Sequence, residues 1–459
     1  MKNFISIFIG CLVVSTLTSI DAFAITGSTS SNLETDIFAS DSIRLHPEEA
    51  ARTDLIHGSK VIFVNGDEGN RADRDSVERM LERFYVDQFR NSQDPEAPYF
   101  TFMSKDANYA MGIGGIAAID TWFNWNGYIP YDGYNVSNIE IPKSPERMKS
   151  LGATAAYSKI YLNIMGKNTP IGSFRVYLEA GFTDSRYSKF RIKRAWMQIR
   201  DFTVGLAKST FSDPAAQPET LDPAGPNGKI DRANILVRYL HTWKNKWSVG
   251  GSVEFPGSYY KVEDKLTAKV SDYVPDFAAL GQFQWNRGLS HVRIGGIVRA
   301  IPYRDLIAGQ NHTVLGWGAE LSSIVRAGRI LTFYYLSSVG KGIASYTADL
   351  GSEDCDLLPD LSTPGRMYAP LTLATTVGVK VQILPKLSST VSLSGLHNYA
   401  KGNIDDATYK YGEYICGNLI YTFSPRLMTG LEYLAAKRMN FNGQHANANR
   451  LSAKFVFSF

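Results

Sequence analysis

Read from its end, the chain alternates. In Arg450-Leu-Ser-Ala-Lys-Phe-Val-Phe-Ser-Phe459, Leu451, Ala453, Phe455, Phe457 and Phe459 share one face, and Arg450, Ser452, Lys454, Val456 and Ser458 share the other. A period of two marks an extended strand, whose successive side chains point to opposite faces. The alternation recurs upstream between short polar turns at 167–172, 200–203, 244–247, 286–289, 326–328, 385–387 and 424–426. Longer polar connections fall between these turns at 127–150, 185–188, 212–229, 257–271, 303–312, 340–365, 401–412 and 439–449. Seven short turns alternating with eight connections, most of them long, predict sixteen strands. Residues 109–459 then allot about 22 residues to each strand and connection, against roughly 9–11 for a membrane strand, and the remainder supplies the loops.

The final strand exposes three aromatic rings on one face, which suits lipid better than the water-facing side of a secreted sandwich. The other end of the chain points the same way. Met1-Lys-Asn-Phe-Ile-Ser-Ile-Phe-Ile-Gly opens with a basic residue and an apolar run, and Ala22-Phe-Ala24 offers a cleavage site. This three-part pattern predicts a signal peptide over 1–24, cleaved after about Ala24. No later run of 18 apolar residues exists to form a spanning helix. An exported chain of this kind enters a bilayer only as a closed barrel. The expected fold is all-β: a 16-stranded antiparallel transmembrane β-barrel over 108–459, preceded by a short periplasmic helical segment. A terminal Phe on the closing strand resembles the assembly signal of bacterial outer-membrane barrels, and the outer membrane is the expected location.

The piece at 25–107 reads differently. It is polar and irregular until 75–90, where Val77, Met80, Leu81, Phe84 and Tyr85 fall on one helical face behind a capping Ser76. Such a helix serves either oligomerisation or packing on the barrel floor, and sixteen residues are short for a coiled coil. Asp94-Pro-Glu-Ala-Pro98 is expected to be the linker into the first strand.

Charge matters here by position. The 48 basic and 44 acidic residues nearly balance at +4, which gives no support for nucleic-acid binding. The strand periodicity, however, points arginines inward. Arg175, Arg194, Arg232, Arg238, Arg293 and Arg299 are the expected pore-lining, anion-binding residues, since an arginine facing mid-bilayer lipid would cost about 2–4 kcal/mol. On 190–200 only Arg194 and Gln198 fit the lumen, so Arg191 and Lys193 call for a loop position or a bulge. A row of guanidiniums around water favours anions, and their planar forks match carboxylates. The alternative is that lumenal acids such as Glu179 and Glu432 pair with them and the arginines brace the wall. The proline-rich stretch containing Asp213, Pro214, Pro218, Glu219, Asp222 and Pro226 is the expected constriction loop, because four prolines over 211–228 make a stiff connection.

Gly205-Leu-Ala-Lys-Ser-Thr-Phe-Ser-Asp213, Pro218-Glu-Thr-Leu-Asp222, Gly225-Pro-Asn-Gly228 and Arg232…Arg238-Tyr239, with Arg191-Ile-Lys-Arg-Ala-Trp196 upstream, resemble the core of the DcaP-like outer-membrane porins. The resemblance is concentrated in 190–239. It implies a homotrimeric channel for small dicarboxylates and related anions, with outer-membrane lipid around it and a helical segment before the barrel. It also assigns Arg232 and Arg238 to the pore wall and the proline-rich loop to its entrance. Lys208 and the lack of a long heptad repeat depart from that pattern.

Other classes find less in the sequence. A barrel hydrolase would need an assembled nucleophile, base and acid, yet no Gly-x-Ser-x-Gly occurs and the seven histidines show no paired spacing. No metal or cofactor motif is present, and none is expected. A plugged, structural or adhesive barrel is the remaining alternative, with the N-terminal segment as the candidate plug. Cys355 and Cys416 are left as either a disulfide or two thiols.

Overall fold

In the computed structural model the described residues are 60–64, 74–85, 88–94, 98–129, 132–182, 189–263, 265–351, 353–401 and 407–459. The signal-peptide assignment at 1–24 lies outside them. The strands are β1 (Lys60–Val64), β2 (Phe100–Ser104), β3 (Tyr109–Trp125), β4 (Lys149–Thr154), β5 (Lys159–Thr169), β6 (Gly172–Phe182), β7 (Phe190–Ile199) and β8 (Phe202–Lys208). They continue with β9 (Ala233–Trp243), β10 (Trp247–Glu254), β11 (Thr267–Lys269), β12 (Asp276–Trp285), β13 (Ser290–Asp305), β14 (Gln310–Ala327) and β15 (Leu331–Lys341). A two-residue pair in a loop, β16 (Leu358–Pro359) and β17 (Met367–Tyr368), precedes β18 (Leu371–Leu384), β19 (Leu387–Tyr399), β20 (Tyr409–Ser424), β21 (Leu427–Asn440) and β22 (His445–Ser458).

Consecutive wall strands pair antiparallel all the way round, and β22 closes on β3 from Asn449↔Trp125 to Ser458↔Ile116. β4 and β5 form one line against β3, as β11 and β12 do against β13. The wall is therefore sixteen strands wide, and its closure leaves no exposed edge. Short turns join β5 to β6, β7 to β8, β9 to β10, β12 to β13, β14 to β15, β18 to β19 and β20 to β21. These are the seven turns the sequence predicted. At Lys244 and Asn245 two successive residues have φ of 49° and 53°, the left-handed pair that suits a tight hairpin to the twist of its strands.

The wall alternates as period two requires. On β9, Ile235, Val237 and Tyr239 are exposed outward while Asn234, Leu236 and Arg238 are buried inward. Aromatic rings gather toward the short-turn end, where Trp243, Trp247 and Phe283 lie on the outer face with Trp247 and Phe283 4.5 Å apart. Rings at this level suit the headgroup region, and the aliphatic band between suits hydrocarbon. The bulge that Arg191 and Lys193 called for is present: Glu179 pairs with Arg194 but Ala180 pairs with Ile192, which leaves Lys193 out of register.

The N-terminal piece departs from its expected form. It contributes two strands that its polar sequence did not advertise. β2 pairs antiparallel with Ala110–Ile113 of β3, directly beyond the point where Phe459 and Gly115 exchange backbone hydrogen bonds, and β1 lies parallel to β2. The helix α1 spans Arg74–Glu82, followed by a tight turn at Arg83–Tyr85. It is shorter than the 75–90 expected. Met80, Leu81 and Phe84 pack with Met103, Ala107, Ala110 and Met165 at the short-turn end, and the chain leaves the helical path before Phe89, which packs with Leu240 and Leu280 on the inner wall.

Candidate functional site

Among the described residues the connections around Tyr134 and Tyr346 pack against the inner wall, and two more pieces of chain lie there against Arg238 and Arg293. The first is the connection between β8 and β9. Its Asp213 lies against β13 and β14: the carboxylate accepts from His291 Nε2 (2.7 Å) and Ser322 Oγ (2.6 Å), with Arg293 Nη1 at 3.5 Å. Pro214 opens a short 3-10 turn, and Pro218 packs on β18, where a Cβ at Gly378 would sit 2.7 Å from its ring. Glu219 pairs with Lys380. Farther on, the Glu432 carboxylate accepts the Leu221 and Asp222 amides at 2.7 and 2.8 Å, while Asp222 accepts the Tyr134 amide. The Lys229 amide bonds back to the Pro226 carbonyl. The loop thus runs along the inner wall from β13 to β22, where Lys454 Nζ donates to the Leu221 carbonyl.

These anchors bear on the catalytic alternative, because Ser, His and Asp meet here. Ser322, His291 and Asp213 are fully buried, and both Ser322 and His291 bond to the carboxylate rather than to each other. The imidazole does not reach the hydroxyl to activate it, so this cluster holds the loop. Burial alone would raise the Asp213 pKa, but Arg293, His291 and Ser322 outweigh it and hold the carboxyl well below the usual range.

The second piece is 88–94, expected in the sequence to be helix end and linker. Phe89 lies beneath Arg238, whose guanidinium carbon is 3.7 Å from the ring centre, and Arg293 is 5.1 Å away. Gln93 Nε2 donates to the carbonyls of Thr220 (3.0 Å) and Asp222 (2.7 Å), joining this piece to the loop. Asp94 receives both Nη groups of Arg194, at 3.0 and 2.5 Å, and lies 3.4 Å from Lys159 Nζ.

All six predicted arginines are on the lumen side, but they form two groups rather than one ring. Arg175, Arg194 and Arg238 gather around Trp196 and Phe89, with Arg175 also bonding Asn163. Arg232 and Arg299 flank Tyr346, at 4.8 and 4.9 Å from its ring. Arg299 is fixed by Asp276 and Asp356, so it braces the wall as the pairing alternative supposed. Arg293 stands between the groups, tied to Gln282, the Ser212 carbonyl and Asp213.

The reading of single strands missed a feature of five consecutive ones. β5–β9 carry Lys159, Lys167, Arg175, Arg191, Lys193, Arg194, Lys208 and Arg238, and Glu179 is their sole carboxylate. Charge counted strand by strand would have found this basic arc. Among the described residues, no group of three or more His, Cys, Asp or Glu side chains is placed to hold a metal ion. Cys355 and Cys416 are separate buried thiols.

The barrel superposes on the outer-membrane channel DcaP of Acinetobacter baumannii with a TM-score of 0.67 and 22% identity, over 78% of this chain and 99% of that one. The fold is that of an outer-membrane porin. An anion-selective porin from Comamonas acidovorans is similar at a TM-score of 0.50 and 10% identity, over 76% of this chain and all of that one. The outer-membrane protein OmpT of Vibrio cholerae, lacking loop L8, also matches at 0.50 and 10% identity. No protein-family model and no curated relative matches the sequence. With the apolar outer face, this fold makes the chain a bacterial outer-membrane barrel.

Proposed function

We propose that the protein is a passive outer-membrane channel that prefers small anions, carboxylates and dicarboxylates among them, and that it performs no catalysis. The basic arc on β5–β9 carries this reading, because eight cations still outnumber Glu179 of the same strands and the Asp94 and Asp231 that reach them from neighbouring segments, and such an excess favours anions in a narrow aqueous passage. The loop anchored across the other wall directs solutes toward that arc. Arg299, held between Asp276 and Asp356, belongs to the wall rather than to the filter in this reading. A homotrimer, the assembly that the DcaP-like resemblance implies, belongs to the same reading.

A closed structural barrel is the second reading, favoured by the loop and residues 88–94 inside the lumen. Osmotic swelling of proteoliposomes separates the two. Vesicles holding the full chain should swell several-fold faster in succinate than in a diamine of matching size. Equal rates, or no swelling in either, would remove the anion-channel reading.

A further inference from the structure

Apart from the Asn91 amide of its own segment, at 3.0 Å, the contacts of Asp94 are those a solute carboxylate would make. Arg194 meets it with both arms of its guanidinium, and Lys159 adds a point charge from the neighbouring wall. Planar two-point contact is how arginine recognises free carboxylates. Arg194 and Lys159 are wall residues, whereas Asp94 belongs to the N-terminal piece. We propose that Arg194 and Lys159 form a carboxylate-binding subsite of the channel, and that residues 88–94 are a tethered resident ligand which a solute carboxylate displaces. This inference rests on the channel reading above.

Three observations support it. The space left beside the segment, between Phe89, Trp196, Lys208 and Arg238, is about 20 Å³, room for a single water and not for a dicarboxylate. A solute carboxylate that is to meet both arms of Arg194 therefore requires Asp94 to move. The segment is held by side-chain contacts that include the Arg194 fork and Lys159 on Asp94, Gln93 on two loop carbonyls, Phe89 against Leu240 and Leu280, and Arg293 on the Gln88 carbonyl at 3.4 Å. No strand pairing fixes it. Finally, Arg194 and Lys159 are largely buried, and with Glu179 3.5 Å from Lys159 as the remaining acid, stripping Asp94 would leave two desolvated cations sharing a carboxylate, at a cost. Withdrawal of Asp94 is thus favoured when another carboxylate takes its place.

Although burial opposes ionisation of Asp94, Arg194 and Lys159 hold its carboxyl well below the usual range, so the tether stays charged at physiological pH. A carboxylate on a short tether acts at an effective concentration in the millimolar range. Competing solutes should accordingly open the channel at millimolar levels. Phe89 and Gln93 would leave with Asp94, which uncovers Arg238 and the Thr220 and Asp222 carbonyls together.

The test is conductance of the full chain in planar bilayers in potassium chloride, with succinate added stepwise. The unmodified protein should conduct weakly in chloride and rise about five- to tenfold with millimolar succinate. Asp94→Asn should be open in chloride alone, and further succinate should add little. Gln93→Ala, which leaves the Arg194 pair untouched, should shift the succinate response to lower concentration. Asp94→Glu, keeping the charge, should retain gating, and heat-dependent migration on gels checks that each variant is folded. Equal chloride conductance for the unmodified protein and Asp94→Asn, with no succinate response in either, would overturn the tethered-ligand proposal while leaving the channel standing. Absence of conductance in every variant and salt would instead remove the channel itself.

Discussion

Asp213→Ala should release the lumenal loop from β13 and β14 and destabilise the folded barrel by about 3–5 kcal/mol, the usual cost of removing one partner from a buried pair. The carboxylate is fully buried and receives His291 and Ser322 beside Arg293, so its loss removes the acid facing a buried guanidinium and leaves two hydrogen-bonding groups without their acceptor. Equilibrium unfolding in urea, followed with barrel reinserted in vesicles, measures the loss, and protease cleavage within 211–228 reports the freed loop. Asp213→Asn keeps one acceptor oxygen for Ser322 and should cost less. Because the folded-state pKa is depressed, this contribution is present above the ordinary aspartate value near 4 and is lost only as pH falls through the lower folded value. The Asp213 contribution to loop anchoring should therefore be constant from about pH 5 upward. Unchanged stability in Asp213→Ala would mean the loop is held elsewhere, by Glu432 and Lys380.

The second large effect concerns selectivity. Arg175→Gln with Arg238→Gln removes two cations of the basic arc, and the anion-to-cation permeability ratio should fall about tenfold, equivalent to roughly 1.4 kcal/mol. Arg299→Gln should behave otherwise. That arginine sits between Asp276 and Asp356, and neutralising it leaves two buried carboxylates uncompensated. A fall in stability with little change in permeability ratio is expected there. If Arg299→Gln altered selectivity as strongly as the double variant, the division between filter and brace would be wrong.

The barrel was legible in the sequence because its information is local. Alternation along β9, β13 and β22 orients every second residue without knowledge of what lies opposite, and turns at positions such as 244–247 declare themselves by composition. The same period put Arg232, Arg238, Arg293 and Arg299 inside. What they touch was not legible. Asp213 meets His291 and Ser322 from another part of the chain, and Asp94 meets Arg194 a hundred residues on; no periodicity links such pairs. The N-terminal piece was the weakest reading for the same reason. β1 and β2 gain their form by pairing at the seam next to Phe459, and Phe89 leaves the helical register because an apolar niche at Leu240 and Leu280 accepts it. In both cases tertiary contact overrode a local pattern.

The measurement that bears most directly on this account is the reversal potential of the full-length protein in a planar bilayer across a gradient of potassium succinate. The basic arc on β5–β9 predicts a potential of the sign set by anion movement, moving toward zero in Arg175→Gln with Arg238→Gln. A cation-selective potential in the unmodified protein would contradict it, since the acids of the loop and opposite wall would then govern the passage.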